Sequence, residues 1–558
     1  MTRMTRTVFL LALLLAAPCW AEAPGQAAIA SAHRLATAAG FEVLEAGGNA
    51  FDAAVAVSAA LAVVEPASSG LGGGGFWLLH RAADGFQTMV DGRETSPAAV
   101  RADMFLDAEG ALDRDKSLNG PLAAGIPGQP AGLVHIAARY GRLPLAESLA
   151  PAMRLAREGF EVDEKYRRLM GFRRDVLRRY PQAAAIFLAD GEVPEVGHRI
   201  VQPDLAGVLE RLAAEGFDGF YRGELAKKLV EGVREAGGHW ALDDLAGYRV
   251  AEREPIRATY RGYTLVTAPP PSSGGLALAT MLHILDRYPW ERLDRVARTH
   301  LMVETMRRAY RDRSVYLGDP DFVKVPVGML TSPDYAAGLA AGIRLDRATP
   351  SELLPGIEVL AVGEDTTHFS LMDAEGNLVA GTLSVNLPYG SGFVVPGTGF
   401  LLNNEMDDFA IVAGVPNAYG LIGEDANAIR PGKRMLSSMT PTFVFGADRV
   451  AVLGTPGGSR IITMVLTGIL DFVAGNDPQS WVSRPRLHHQ YLPDVISAEP
   501  GALEEVEAQA LRERGHTVNV GEREWGNMQA VMWDRRGGRV LAASDPRWGE
   551  SSGVAEVR

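Results

Sequence analysis

Asp365-Thr366-Thr367-His368-Phe369-Ser370-Leu371-Met372 opens a stretch that continues through Asp373-Ala374-Glu375-Gly376-Asn377 and then Leu378 to Ser384. Residues 366–372 read as a strand, the next five as turn chemistry, and 378–384 as the returning strand. With those five residues as the loop, Met372 faces Leu378. Counting back along the ladder then sets Thr366 opposite Ser384. Opposed residues hold their Cβ atoms roughly 4.5–5.5 Å apart, within reach of a hydroxyl–hydroxyl hydrogen bond. Asn386, two residues further on, takes the same face. A slip of one residue would dismantle the arrangement.

A hydroxyl at this position becomes a useful nucleophile only if a base removes its proton. A chain-terminal threonine carries such a base, because its free α-amino group has a pKa of about 7.7–8.0 and sits beside the hydroxyl. That chemistry requires a cut between Asp365 and Thr366. On spacing alone, Thr366 and Thr367 serve equally well as two β-branched strand residues.

Immediately upstream, residues 347–365 carry Pro350, Pro355, Gly356 and Gly363 with no sustained period, which reads as an irregular loop. Two alanine-rich helices are expected near the start, Leu35 to Ala46 and Phe51 to Val64. The second is apolar nearly all round and is expected to be buried between layers. Ser68-Ser69-Gly70-Leu71-Gly72-Gly73-Gly74-Gly75 leads into a strand from Phe76 to His80. No Gly-Lys-Ser/Thr follows the glycines, so they read as close backbone packing or a site wall rather than a phosphate loop. Residues 130–250 alternate helical periods with Gly and Pro breaks. Their arginines (Arg167, Arg168, Arg173, Arg174, Arg178, Arg179) read as solvated helix faces. Pro269 to Gly275 caps a helix starting near Leu276, and Met302, Met306, Ala309 and Arg313 form a stripe at helical spacing that reads as core.

The chain has 558 residues, of which 47% are hydrophobic and 22% charged, ordinary for a globular protein. Its net charge of −13 argues against a nucleic-acid partner. Arg3 and Arg6, the apolar run Val8 to Ala17, and Cys19-Trp20-Ala21 have the form of a signal peptide cleaved after Ala21, too short to span a bilayer. Export to the periplasm, or full secretion, follows. Cys19 is the only cysteine, so the mature chain is expected to have no disulfide, thiol nucleophile or cysteine metal ligand.

The segment Asp365 to Ser370 with its Asp373–Asn377 turn resembles the processing site of gamma-glutamyltransferases, a family of N-terminal-nucleophile hydrolases. Further stretches match in the same order: Asp91-Gly92-Arg93-Glu94, Gly125-Ile126-Pro127-Gly128, Gly318-Asp319-Pro320-Asp321-Phe322, Asn403-Asn404-Glu405-Met406-Asp407-Asp408-Phe409, Pro416 to Gly420, Arg434 to Pro441, and Pro456-Gly457-Gly458-Ser459-Arg460. Arg486 to Gln490 and Ser544 to Arg547 match near the end. The resemblance covers essentially the whole mature chain.

The resemblance implies that Thr366 first drives cleavage after Asp365 and then acts as the nucleophile, forming a glutamyl ester. Ser384, where many members have threonine, would support its hydroxyl. Gly457 and Gly458 resemble the oxyanion-hole pair; glycines let backbone N–H groups approach a developing oxyanion. A γ-glutamyl group ends in a zwitterion. Arg93 would grip its carboxylate with two parallel hydrogen bonds, with Ser437 and Ser438 adding hydroxyls. Asn386, Glu405 and Asp408 would surround its ammonium, and Tyr419 matches a lid tyrosine that many relatives lack. His488 and His489 are adjacent; on a strand they would face opposite sides, a poor metal arrangement, and read as structural. No metal or cofactor is expected.

The fold so implied is α+β, a four-layer αββα sandwich of two antiparallel sheets between helices. It would comprise a signal segment 1–21, a large subunit 22–365 and a small subunit 366–558, the last two forming one interwoven unit. The implied function is transfer of a gamma-glutamyl group from glutathione-like amides to water or an amino acid, with no nucleic-acid partner and no stable membrane anchor. The alternatives are an acylase of the same fold, for glutaryl, cephalosporin or polyglutamate-type substrates, and a periplasmic binding protein that never matures. Arg93, Glu405 and Asp408 favour an amino-acid-like acyl group, because a glutaryl group has no ammonium.

Overall fold

A computed structural model describes residues 23–354 and 366–556. The signal segment 1–21 and Asp365 lie outside the described residues. The hairpin read from the sequence is present in its expected register. Strand Thr367–Met372 pairs antiparallel with Leu378–Ser384, from Leu378 opposite Met372 to Leu383 opposite Thr367. Thr366 precedes the first strand residue, so continuing the ladder by one step brings it opposite Ser384. The turn is closed by Asp373, whose Oδ1 accepts from the amides of Glu375 and Asn377 while Oδ2 accepts from the Asn377 side chain. The same Oδ2 accepts from the amide of Ala50, at the start of the buried helix.

This hairpin is the centre of a seven-stranded antiparallel sheet. In order across the sheet its strands are Ser552–Ala555, Ala27–Ser31, Thr367–Met372, Leu378–Ser384, Gly74–Arg81, Phe86–Gly92 and Ala251–Arg253. A second antiparallel sheet runs Arg539–Ser544, Gln529–Asp534, Arg449–Gly454, Thr442–Phe445, Tyr263–Thr267 and Ile256–Tyr260. The period-2 alternation of strand side chains divides the first sheet between two cores. Phe76 and Leu78 pack with the second sheet, whereas Trp77 and Leu79 pack with the early helices.

Helix Ala50–Val64 is buried along its whole length, as its apolar sequence requires. Its start is fixed by a capping box, Asn49 accepting from the amides of Phe51 and Asp52 while Asp52 accepts from that of Asn49. Helix Arg34–Glu45 packs beside it. On the far side, helices Gly274–Leu285, Arg295–Tyr316 and Ile461–Val473 cover the second sheet. The layers are therefore helix, sheet, sheet, helix, the αββα order. Met302, Met306, Ala309 and Arg313 are all buried. Arg173 departs from the solvated face expected of it: its Nη2 reaches inward to Asn119 and the Gly390 carbonyl.

Candidate active site

A narrow cleft opens where the first sheet's hairpin meets the loops that follow both sheets. It is lined by Arg93, Thr366, Ser384, Asn386, Glu405, Asp408, Tyr419, Ser437, Ser438 and Gly458, with Leu421, Met439 and Ile461 as apolar walls. Of the residues singled out in the sequence, only Asp365, outside the described residues, and Gly457, next to the lining, are missing.

Each of these side chains is delivered by a defined local device. Arg93 follows strand Phe86–Gly92 directly, and its amide is fixed by Asp91 Oδ1 at 2.9 Å. Its guanidinium is 1% exposed and lies between two acids, Glu405 at 2.6 Å from Nη1 and Asp408 at 2.5 Å from Nη2. Nε donates to the Met435 carbonyl. Arg93 and the acids are thus already partnered with one another. Burial works against the charged guanidinium, but the carboxylates around it hold its pKa above the ordinary arginine value. Burial raises the pKa of Glu405 well above the carboxylate range, and Arg93 only partly opposes it.

Neighbouring acids diverge. Asp408 accepts from Asn417 Nδ2, and Asp407 turns away to accept from Ser117 and the amide of Ala418. Asp407 thereby anchors the loop carrying Tyr419. The Tyr419 hydroxyl donates to the Asn386 carbonyl at 2.6 Å, and its ring lies on Gly458, where an added Cβ would come within 2.3 Å. Asn386 takes φ +74 beyond the strand end, its amide held by Ser384 Oγ and its side chain donating to the Asn404 carbonyl.

The turn Gly457-Gly458 has φ +136 and +54, conformations that favour glycine. Neither amide donates to a partner among the described residues. Ser437 and Ser438 are set by a crossing of loops: the Ser273 amide and hydroxyl both donate to the Ser437 carbonyl. Two groups escaped the sequence reading. Arg313 donates to the Ser273 hydroxyl at 3.1 Å, with Ser438 Oγ at 3.5 Å from its Nη2, and burial pulls its pKa down to about 10. An arginine inside a methionine stripe was the available signal. Glu94, beside Arg93, is fully buried; neither of its oxygens has a hydrogen-bond partner among the described residues, though Oε2 lies 3.7 Å from Arg93 Nη1, and burial raises its pKa to about 7.

His488 and His489 do face separate networks, although only His488 belongs to a strand, Leu487–His488. His488 bonds Thr463 and Gln490, and His489 bonds Asp494. Burial lowers their pKa values to about 3 and about 4, so both are neutral near pH 7. Among the described residues, His300, Glu304 and His516 stand close enough to surround a cation. Glu304 is already engaged there by Arg308 at 2.6 Å, with Arg307 at 3.8 Å. Two arginine charges oppose a dication at that spot.

Chemically, the cleft has two ends. At one, Thr366 at the head of a strand shares the lining with the hydroxyl-bearing Ser384 and with Gly458. At the other, a buried guanidinium and two carboxylates can meet a zwitterion.

Comparison with known proteins bears on the family of the chain as a whole. The gamma-glutamyltranspeptidase family model matches residues 36–555. The glutathione hydrolase proenzyme of Escherichia coli (strain K12) is 42% identical over 528 residues, 94% of this chain and 90% of that protein. The glutathione hydrolase proenzyme of Pseudomonas sp. (strain A14) is 44% identical over 485 residues, 85% of this chain and 83% of that protein. Among solved structures, cephalosporin acylase from Bacillus halodurans superposes with a TM-score of 0.82 at 28% identity, covering 98% of this chain and 99% of that one.

Proposed function

We propose that this chain, which belongs to the gamma-glutamyltranspeptidase family, is a self-cleaving enzyme that transfers γ-glutamyl groups from glutathione-like amides to water or amino acids. The observation that carries this reading is a single cleft holding both Thr366 with Ser384 and Gly458, and Arg93 with Glu405 and Asp408. Attack of the Thr366 hydroxyl on the carbonyl of Asp365 moves that acyl group from the Thr366 nitrogen to Oγ1; water then hydrolyses the ester, releasing Asp365 as a carboxylate and leaving Thr366 with a free α-amino group and a free hydroxyl. That amine then takes the hydroxyl proton as Oγ1 attacks the substrate's γ-carbonyl. The Gly457 and Gly458 amides receive the negative oxygen, each such donor contributing about 2.7–4 kcal/mol to the transition state. The leaving amine takes the proton from the Thr366 ammonium, and a γ-glutamyl ester remains on Oγ1. Water or an amino acid, deprotonated by the same amine, attacks the ester and restores the hydroxyl.

At the far end, the substrate carboxylate would meet Arg93 with Ser437 and Ser438. Its ammonium would meet Glu405, Asp408 and Asn386, replacing part of the pairing that Arg93 provides in the empty cleft. Tyr419 would close over the bound group. An acylase for glutaryl-type groups has no use for acids placed there, which favours the amino-acid-like substrate. Arg3, Arg6 and the apolar run after them support export, with the mature protein working in the periplasm.

The test is to express the full chain and sequence the N-terminus of every band on a denaturing gel. The expected small fragment, about 21 kDa by its share of the 59.7 kDa chain, begins Thr366-Thr367-His368, and Thr366→Ala leaves the chain whole and inactive. A wild-type chain that stays uncut through long incubation at neutral pH would overturn the reading and favour a binding protein.

A further inference from the structure

The strand that carries Thr366 is supported unevenly along its length. On one side it pairs with Leu378–Ser384 up to Thr367. On the other, the pairing with Ala27–Ser31 stops at Ser31 opposite Phe369. Thr367 and His368, the residues that lead to Thr366, therefore lie beyond the last backbone pair on that side. Cutting the chain before Thr366 would remove the covalent restraint as well.

Thr367 is completely buried, and its side chain points to the opposite face from that of Thr366. Its hydroxyl donates to Glu65 Oε2 at 2.5 Å. Glu65 lies at the end of the buried helix Ala50–Val64, where its amide still bonds the Leu61 carbonyl and its own carbonyl accepts from the amides of Ser68 and Ser69. The backbone of Glu65 is thus fixed on both sides. Its other oxygen is paired with Lys165 on helix Glu164–Leu177. A carboxylate at 5% exposure is retained as a charge only when matched, and Lys165 supplies the match.

We propose that Glu65, clamped by Lys165, is a positioning residue for the reaction: through Thr367 it holds the new chain end so that the α-amine of Thr366 stays over its own hydroxyl. This rests on the reading of Thr366 as nucleophile. Glu65 touches no reacting atom and acts through its neighbour. A charge-assisted bond suits this task better than a neutral one, being shorter and about twice as strong. It stands where the sheet supplies no backbone partner on the Ala27–Ser31 side.

The experiment compares Thr367→Val, Thr367→Ser and Glu65→Gln in the full chain. Measured are the self-cleavage rate, kcat and KM for a γ-glutamyl anilide, and the melting temperature. Valine fills the same space on a strand without the hydroxyl. Thr367→Val is expected to lower kcat and the cleavage rate about tenfold while KM stays within about twofold and melting shifts by only a few degrees. Thr367→Ser restores both rates, and Glu65→Gln, which keeps an acceptor but loses the charge, falls between. Wild-type kcat in Thr367→Val, or a loss that serine does not rescue and that tracks the melting temperature, overturns the assignment of Glu65 alone. A wild-type chain without a fragment beginning at Thr366 overturns the nucleophile reading, and the positioning role with it.

Discussion

The two ends of the cleft are built on opposite principles. Around Thr366 the groups are uncharged: a serine hydroxyl, Gly458, and a tyrosine ring laid on that glycine. Around Arg93 they are large, charged and buried, one guanidinium between two carboxylates. On the proposed mechanism, bond making needs backbone amides close to the carbonyl oxygen that becomes negative, an approach that a side chain on the turn would obstruct. Recognition of a zwitterion needs fixed charge of both signs, which backbone cannot supply. The separation predicts that damage at each end will read out in a different kinetic constant.

The sharpest break would come at the neutral end. Gly458→Ala places a methyl group 2.3 Å from the Tyr419 ring at φ +54, so the turn must shift and its amides lose their aim. Steady-state kinetics on the cut enzyme should show kcat down by about 10²–10³ with little change in KM. At the charged end, Arg93→Lys keeps the charge and loses the fork that meets two oxygens at once. Donor KM is expected to rise about 10–100-fold, with kcat within a few-fold. If both substitutions altered the same constant, the division of labour would be wrong.

A subtler test uses pH. Burial raises the pKa of Glu405, so its neutral form persists to higher pH than for an ordinary glutamate. Only the carboxylate can offset a substrate ammonium. Donor KM should therefore rise as pH falls through the Glu405 titration, and Glu405→Gln should flatten that dependence to within a few-fold across the same range. A KM profile identical in both proteins would remove Glu405 from ammonium recognition.

How much of this was legible in the sequence depended on how local the signal was. The hairpin register could be counted because a five-residue turn and period-2 strands leave one solution, and Asp373 with Gly376 closes it. The helix Ala50–Val64 was legible because its apolar surface has no polar side to expose. The charged end was visible only as matching segments. Arg93 and Asp408 are 315 residues apart in the chain, and no periodicity reports a contact of that kind. Arg313 was placed correctly in the core but not beside Ser438, since its stripe records which face is buried and not what it meets there. Glu65 carried no signal at all: a glutamate after an apolar helix reads as its solvent-facing end, whereas here it meets Thr367 and Lys165 inside the molecule.

The order of strands in the first sheet has a consequence beyond the site. Ala27–Ser31 precedes Thr366 in the chain, where the cut is proposed, yet it lies between Ser552–Ala555 and Thr367–Met372, both of which follow it. Leu378–Ser384 in turn pairs with Gly74–Arg81 across the same divide. The uncut chain finds this arrangement as a one-body search, at a rate independent of concentration. Once cut, two fragments would have to meet in dilute solution and interleave strand by strand before either had a sheet to fold against. On the proposed cut before Thr366, cleavage would thus turn a foldable chain into an assembly that keeps its shape only for as long as it never loses it.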